Sequence, residues 1–111
     1  MTLLIDWGNY LIPERDVLQI KTLDLEDFYA AASDLDKANL YFVLLCSFYH
    51  YMSKGRRETA ARLSFLLACY LFMCFCPPAS GELAAHYIEQ AVSLHPTGQY
   101  KEWQKLIQMG N

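Results

Sequence analysis

Charged residues are scarce in this chain. Lys and Arg contribute 9 and Asp and Glu 12 of its 111 residues, which gives a charged fraction of 19% and a net charge of −3. The chain therefore lacks the basic surplus on which nucleic-acid binders depend for phosphate contacts. No segment combines low hydrophobicity with high charge, so we expect little disorder away from the ends. The composition favours one folded domain that does not bind nucleic acid.

Motifs for catalysis and metal binding are also missing. The chain has no H-E-x-x-H helix, no glycine-rich phosphate loop and no G-x-S-x-G turn, so we expect no enzymatic activity and no cofactor. Soft ligands that suit Cu(I) do occur close together, at Cys69, Met73, Cys74 and Cys76. Their spacing is not a zinc pattern, and Cys and Met also pack well in cores. Ordinary burial without metal is the favoured interpretation.

Two polar clusters leave other interpretations open. His86 shares one side of a predicted helix with Glu82 and Glu89 and could act as an acid–base group. No nucleophile stands at a sequence spacing typical of a catalytic pair with His86. We therefore favour the interpretation that these side chains lie on a solvated helix surface. The basic turn at residues 54–62 could contact phosphate or an acidic protein partner. Because the whole chain is acidic, the protein partner suits this turn better.

The cysteines and the first residues indicate a reducing environment. All four cysteines lie inside apolar segments rather than at turns, at Cys46, Cys69, Cys74 and Cys76. The first residues lack the basic start of a secretory signal, and Asp6 interrupts their apolar run. We therefore expect free thiols and a cytoplasmic location.

Residues 1–22 are predicted to form an irregular N-terminal arm, because Gly8, Asn9 and Pro13 break any regular pattern. Apolar residues of this arm are expected to pack on the rest of the chain: Leu3, Leu4, Ile5, Trp7, Leu11 and Ile12. Residues 23–111 are predicted to form a helical domain. No segment alternates between apolar and polar residues as a strand does.

Five helices are predicted in that domain. The first covers residues 24–33, and the second begins at an Asp34 or Asp36 cap and stops at Gly55. The third covers residues 56–75 and is ended by Pro77 and Pro78. The fourth is capped by Ser80 and stops before Pro96, and Thr97 caps the fifth. Short connections between helices imply antiparallel neighbours, so the predicted fold is all-α, with stacked antiparallel helical hairpins.

The second and third helices are apolar nearly all round, and such helices have to be covered on every side. Apolar residues make up 54% of the chain, more than a domain of this size easily buries. We therefore expect some of this surface to remain open, which marks a site for a protein partner. The candidate partner-binding residues are Tyr41, Leu44, Phe48, Leu66, Tyr70 and Met73. Periodicity alone leaves open which of them face a partner and which face the core.

A membrane hairpin is the alternative interpretation of the same two helices. Residues 38–53 and 63–81 contain no charged residue, and a basic segment joins them. The first run is short for a membrane span, and Pro77 and Pro78 break the second. Buried helices without stable membrane insertion are therefore favoured. A third interpretation is a structural subunit that folds only inside an obligate hetero-oligomer.

The segment ELAAHYIEQAVSLHP resembles the second helix of a tetratricopeptide repeat. Ala84, Ile88, Ala91 and Pro96 stand at the spacings of that repeat's small residue, large residue, alanine and proline. The resemblance covers roughly residues 60–108. It implies that the helical domain at 23–111 is built like stacked tetratricopeptide hairpins.

Residues 81–107 are also similar to the last repeat and capping helix of the small chaperones of bacterial type III secretion systems. The chain length suits the needle-subunit chaperones, and translocator chaperones share the same repeat. This resemblance implies a virulence-associated chaperone that holds an amphipathic helical segment of a secreted subunit in an apolar groove. A small co-chaperone is the second partner that it implies.

Overall fold

The computed structural model describes residues 3 and 5–110, and Leu4 of the predicted arm lies outside this range. Helices are the only regular secondary structure among the described residues, which confirms the predicted all-α fold of helical hairpins. Consecutive helices from α3 to α6 pack directly against each other. The six helices are α1 (Glu14–Val17), α2 (Thr22–Ala31), α3 (Asp34–Ser53), α4 (Arg57–Met73), α5 (Ser80–Leu94) and α6 (Gly98–Met109).

Two helix ends agree with the predictions. The Thr97 hydroxyl accepts a hydrogen bond from the backbone N–H of Tyr100 at 3.1 Å, so Thr97 caps α6. Gly55 follows the end of α3 with a φ of +72°, a left-handed conformation that glycine adopts without a steric penalty.

Three other ends differ from the predictions. Ser33, and not Asp34 or Asp36, caps α3, because its hydroxyl accepts the backbone N–H of Asp36 at 3.2 Å. The two aspartates instead lie in the first turn, where the helix dipole favours negative charge. Ser80 is the first residue of α5 rather than its cap. The cap position is taken by Ala79, whose backbone has a left-handed conformation.

Helix α4 ends at Met73, several residues before the two prolines that were predicted to end it. The chain turns where the backbone N–H of Phe75 bonds to the carbonyl oxygen of Tyr70 at 2.8 Å. This turn stacks the Phe75 ring on the Tyr70 ring, with their centroids 5.7 Å apart. The helix therefore ends in a turn that brings these two rings together, before the chain reaches the prolines.

The N-terminal segment is tied to the helices more firmly than an irregular arm would be. It contains the single turn α1, and Val17 and Ile20 are fully buried. The backbone N–H of Ile12 donates to the Ser47 hydroxyl at 3.1 Å, and the Tyr51 hydroxyl donates to the Ile12 carbonyl at 2.7 Å. This segment therefore belongs to the same core as α3.

Helix α4 forms the centre of the core and contacts each of the other five helices. Every side chain from residue 63 to residue 71 is fully buried. Fully buried alanines on α4 and α5 allow these two helices to pack closely: Ala60, Ala61, Ala68, Ala84 and Ala91. The Ser64 hydroxyl, which is polar and buried, donates to the Tyr87 carbonyl of α5. Of the two helices that were predicted to be apolar all round, α4 is thus completely covered.

No helix within the described residues combines the length and hydropathy that a bilayer span requires.

Overpacking of the contact between α4 and α5 should destabilise the fold. We expect Ala91→Leu to lower the free energy of unfolding by about 1–3 kcal/mol, because a fully buried position has no room for added methylenes. Ala30→Leu is the matched control, since Ala30 is exposed on α2. Urea unfolding followed by circular dichroism measures both. Equal stability of the two variants would contradict close packing at Ala91.

Candidate functional site: an apolar face on α3

The structure divides the six predicted partner-binding residues between the core and its edge. Leu44, Phe48, Leu66 and Tyr70 are buried, with exposed fractions of 2% or less. The hydroxyl of Tyr70 donates to the backbone carbonyl of Lys37. A side chain enclosed in this way cannot contact a partner while the fold is intact. These four are therefore core residues here, because they lie where α3 and α4 face each other.

The remaining two predicted residues, Tyr41 and Met73, are half-buried. The Tyr41 hydroxyl lies 3.0 Å from the Tyr87 hydroxyl of α5, within hydrogen-bond distance. The Tyr41 ring also lies 6.3 Å from the Phe75 ring, measured between centroids. Tyr41 thus serves to join α3 to α5 and to the end of α4.

The side of α3 that points away from α4 carries the largest exposed apolar side chains of the helix. Leu35 is 70% exposed, and Phe42 and Tyr49 are each 61% exposed. Cys46 and Met52 are also exposed. Separations of seven, four, three and three residues place these five side chains on one side of a helix. The open apolar surface that the composition predicted therefore lies on α3.

Two aromatic residues of the N-terminal segment extend this surface. Trp7 is 42% exposed and Tyr10 is 63% exposed. Together with α3 they form a shallow depression of about 350 Å³, which is lined by Trp7, Tyr10, Asn39, Phe42, Val43 and Cys46. We call the exposed side chains of both elements the α3 face: Trp7, Tyr10, Leu35, Phe42, Cys46, Tyr49 and Met52.

A second depression, of about 260 Å³, lies on the other side of Trp7. Its apolar wall includes Leu3 and Phe28, and the Phe28 ring meets the Trp7 ring edge-on at a centroid distance of 6.3 Å. Two carboxylates, Asp27 and Asp36, also line it. The α3 face therefore borders an acidic region near the start of α3.

The opposite end of the α3 face is basic. Lys54, Arg56 and Arg57 follow the last turn of α3, and all three are exposed. Arg56 donates two hydrogen bonds to the Glu14 carboxylate, at 2.7 and 3.0 Å, and Thr59 donates a third at 2.6 Å. These bonds hold the pKa of Glu14 below its usual value. They also attach α1 to the start of α4.

The thiols of this region differ in their surroundings. Burial raises the pKa of Cys69 strongly and that of Cys74 to about 11, so both thiols stay protonated at neutral pH. Cys46 is exposed on the α3 face, and Cys76 is exposed elsewhere. Within the described residues, no three His, Cys, Asp or Glu side chains come together to hold a metal ion.

Sequence reasoning missed the α3 face because α3 is apolar on two opposite sides. Leu40, Leu44 and Phe48 follow one helical row, and Phe42, Cys46 and Tyr49 follow the other. Both rows have the spacing of a buried helix surface. Only the position of α4 decides which row becomes core.

No protein-family model, curated protein or solved structure matches the chain significantly. The α3 face is therefore interpreted from its own geometry.

Loss of the hydroxyl that anchors the N-terminal segment should loosen that segment. We expect Tyr51→Phe to speed hydrogen exchange of the backbone amides of residues 5–12 by about 2–10-fold, because one hydrogen bond to the Ile12 carbonyl is removed. Tyr49→Phe, on the same helix but exposed, is the matched control and should leave exchange unchanged. Equal exchange in both variants would mean that this bond does not hold the segment.

Lowering the pH should also release the N-terminal segment, because it protonates the Glu14 carboxylate. Because the folded-state pKa of Glu14 is lowered, its stabilising effect is present above the unfolded pKa and disappears as the pH falls through the folded pKa. We expect iodide quenching of Trp7 fluorescence, measured in a Trp103→Phe background, to rise as the pH is lowered through that range. Glu14→Gln should show the high quenching already at neutral pH. A profile that this substitution does not alter would contradict the role of Glu14.

Proposed function

We propose that this protein is a cytoplasmic chaperone or adaptor that binds an amphipathic helical segment of a secreted protein through the α3 face. The observation that carries the proposal is the row of large apolar side chains exposed along α3, beside Trp7 and Tyr10. Contiguous apolar surface of this kind marks sites of protein interaction. The proposed site thus moves from buried residues of α3 and α4 to the outer side of α3.

The residue types of the α3 face suit a protein partner. Trp7, Tyr10 and Tyr49 each combine a large apolar ring with one polar group, and such residues dominate the energetics of protein interfaces. Phe42 and Leu35 add apolar area without a polar group that must be satisfied. Burial of one such side chain contributes about 1.5–3 kcal/mol. A partner that covers several of them gains enough free energy to offset the cost of association.

The shape of the α3 face suits a helix as the bound element. The exposed row extends from Leu35 to Met52, which corresponds to about 25 Å along the helix axis. Trp7 and Tyr10 form one wall of a shallow groove beside this row. An amphipathic helix places its own apolar row into such a groove at the i, i+3, i+4 and i+7 positions.

The resemblance of residues 81–107 to type III secretion chaperones supports a specific class of client. In this proposal the client is a secreted subunit whose amphipathic helix aggregates when it is left exposed. The resemblance lies in α5 and α6, whereas the α3 face lies in the first half of the chain. A small co-chaperone is the second partner of the proposal.

A synthetic amphipathic helix tests the proposal directly. The probe is a fluorescein-labelled peptide of about 18 residues, or five turns, with a leucine row flanked by Lys and Glu. We expect its fluorescence anisotropy to rise on titration with the protein, and Phe42→Asp to weaken the binding about tenfold or more. Leu106→Asp is the matched control, because Leu106 is similarly exposed but lies on α6. A scrambled peptide of the same composition should not bind.

Thiol alkylation supplies a second readout of the same site. Cys46 lies on the α3 face, so the bound peptide should slow its reaction with N-ethylmaleimide. Cys76, which is exposed outside the face, serves as the internal control. Absence of peptide binding, or binding that neither protects Cys46 nor depends on Phe42, would overturn the proposed function.

A further inference from the structure

We propose that two copies of this chain, in the absence of a client, pair through their α3 faces in an antiparallel arrangement with two-fold symmetry. This inference rests on the proposed function. Pairing would regulate client binding, because the second copy would cover the surface that a client helix needs. Client and second copy would then compete for the same side chains. The free chain would be protected from aggregation until the client displaces its partner copy.

The accessible positions on α3 have the spacing of a helix that packs against a second helix. Positions 35, 39, 42, 46, 49 and 53 alternate between steps of four and three residues, and all six are exposed or half-buried. This alternation is the repeat along which two helices pack side by side in a coiled coil. Most of these positions are apolar, whereas Asn39 and Ser53 are polar. A second α3 helix carries the same repeat and matches it in length.

The two ends of α3 carry charges of opposite sign. Asp34 and Asp36 lie in its first turn, and Lys37 pairs with Asp34 at 3.7 Å, which leaves this end with one net negative charge. Lys54 and Arg57 lie just beyond the last turn of α3. In an antiparallel pair, the acidic end of each copy meets the basic end of the other, and two-fold symmetry creates this contact twice. In a parallel pair, like charges would meet at both ends. The α3 face is therefore self-complementary only in the antiparallel arrangement.

The position of Phe42 relative to the symmetry axis also favours this pairing. In an antiparallel pair of identical helices, the residues near the middle of each helix meet at the axis. Phe42 and Cys46 lie near the middle of α3, and both are exposed. The charged residues lie at the two ends, at the rim, and Leu35 and Met52 extend the apolar surface toward them. An apolar centre with a polar rim is the usual anatomy of a protein interface.

The size of the surface sets the strength of the pairing. The face of one helix and two neighbouring aromatic residues form an interface at the low end of the range for specific complexes. We therefore expect association in the micromolar range, weak enough for a client helix to displace the second copy.

Sedimentation velocity of the purified chain tests the pairing. Between about 1 and about 200 μM, a range that spans micromolar association, we expect the mass to rise from 12.8 kDa toward twice that value. Phe42→Asp should remain monomeric over this range. Leu106→Asp should pair like the unmodified chain, because α6 is outside the proposed contact. A chain that stays monomeric throughout, or a Phe42→Asp variant that still pairs, would overturn the inference.

A charge swap tests the antiparallel arrangement itself. The variant Asp34→Lys/Asp36→Lys has two basic ends on α3, and the variant Lys54→Glu/Arg57→Glu has two acidic ends. Each variant alone should pair about tenfold or more weakly than the unmodified chain, whereas a mixture of the two should form a heterodimer. Circular dichroism checks that the total helix content is unchanged, since the first-turn aspartates stabilise α3. Homodimers of unchanged strength and no preference for the heterodimer would overturn the antiparallel arrangement.

The same samples separate this inference from the proposed function. A monomeric chain that binds the amphipathic peptide would overturn the pairing and leave the proposed function intact. A dimer that neither binds the peptide nor dissociates when the peptide is added would overturn the proposed function and leave the pairing. If both proposals hold, the peptide converts the dimer into a complex of one chain with one peptide.

Discussion

Helix α4 carries apolar side chains around its whole circumference, and the need to cover it on every side organises the rest of the structure. A helix of this kind is stable only when packing encloses it completely. The other five helices each contact it, and residues 63–71 are fully buried. Ser64 donates to a carbonyl of α5, while Thr59 and the two terminal guanidinium nitrogens of Arg62 donate to partners outside α4.

The N-terminal segment completes this enclosure through polar anchors as well as apolar burial. Arg62 donates to the carbonyl of Ile20 and to the side chain of Gln99, and its guanidinium lies 5.1 Å from the centroid of the Phe65 ring. One cation thereby joins the segment, α4 and α6. Bonds of Ile12 to α3 and of Glu14 to α4 fix the rest of the segment. The same anchors place Trp7 and Tyr10 beside α3, so the covering of α4 also shapes the candidate site.

Covering α4 leaves α3 open on one side. Helix α3 contributes Leu44 and Phe48 to the core, and the N-terminal segment covers only part of what remains. No further layer of helices lies outside α3 in the described part of the chain, so Phe42 and Tyr49 stay exposed. A domain this small buries only part of its apolar surface. Single apolar side chains such as Leu23 and Met109 are exposed elsewhere, but α3 carries four of the large exposed ones along one side. A row of this kind makes the region a candidate binding site.

The sequence by itself determined the helical class, the five long helices and the ends that follow strong local signals at Gly55 and Thr97, because capping and glycine conformation depend on neighbouring residues alone. It also determined that apolar surface would be in excess. Only the tertiary structure decided where that excess lies. The inner row of α3 through Leu44 and the outer row through Phe42 have the same spacing and similar hydrophobicity. Contact with α4, which joins residues far apart in the chain, is what makes one row core and leaves the other exposed.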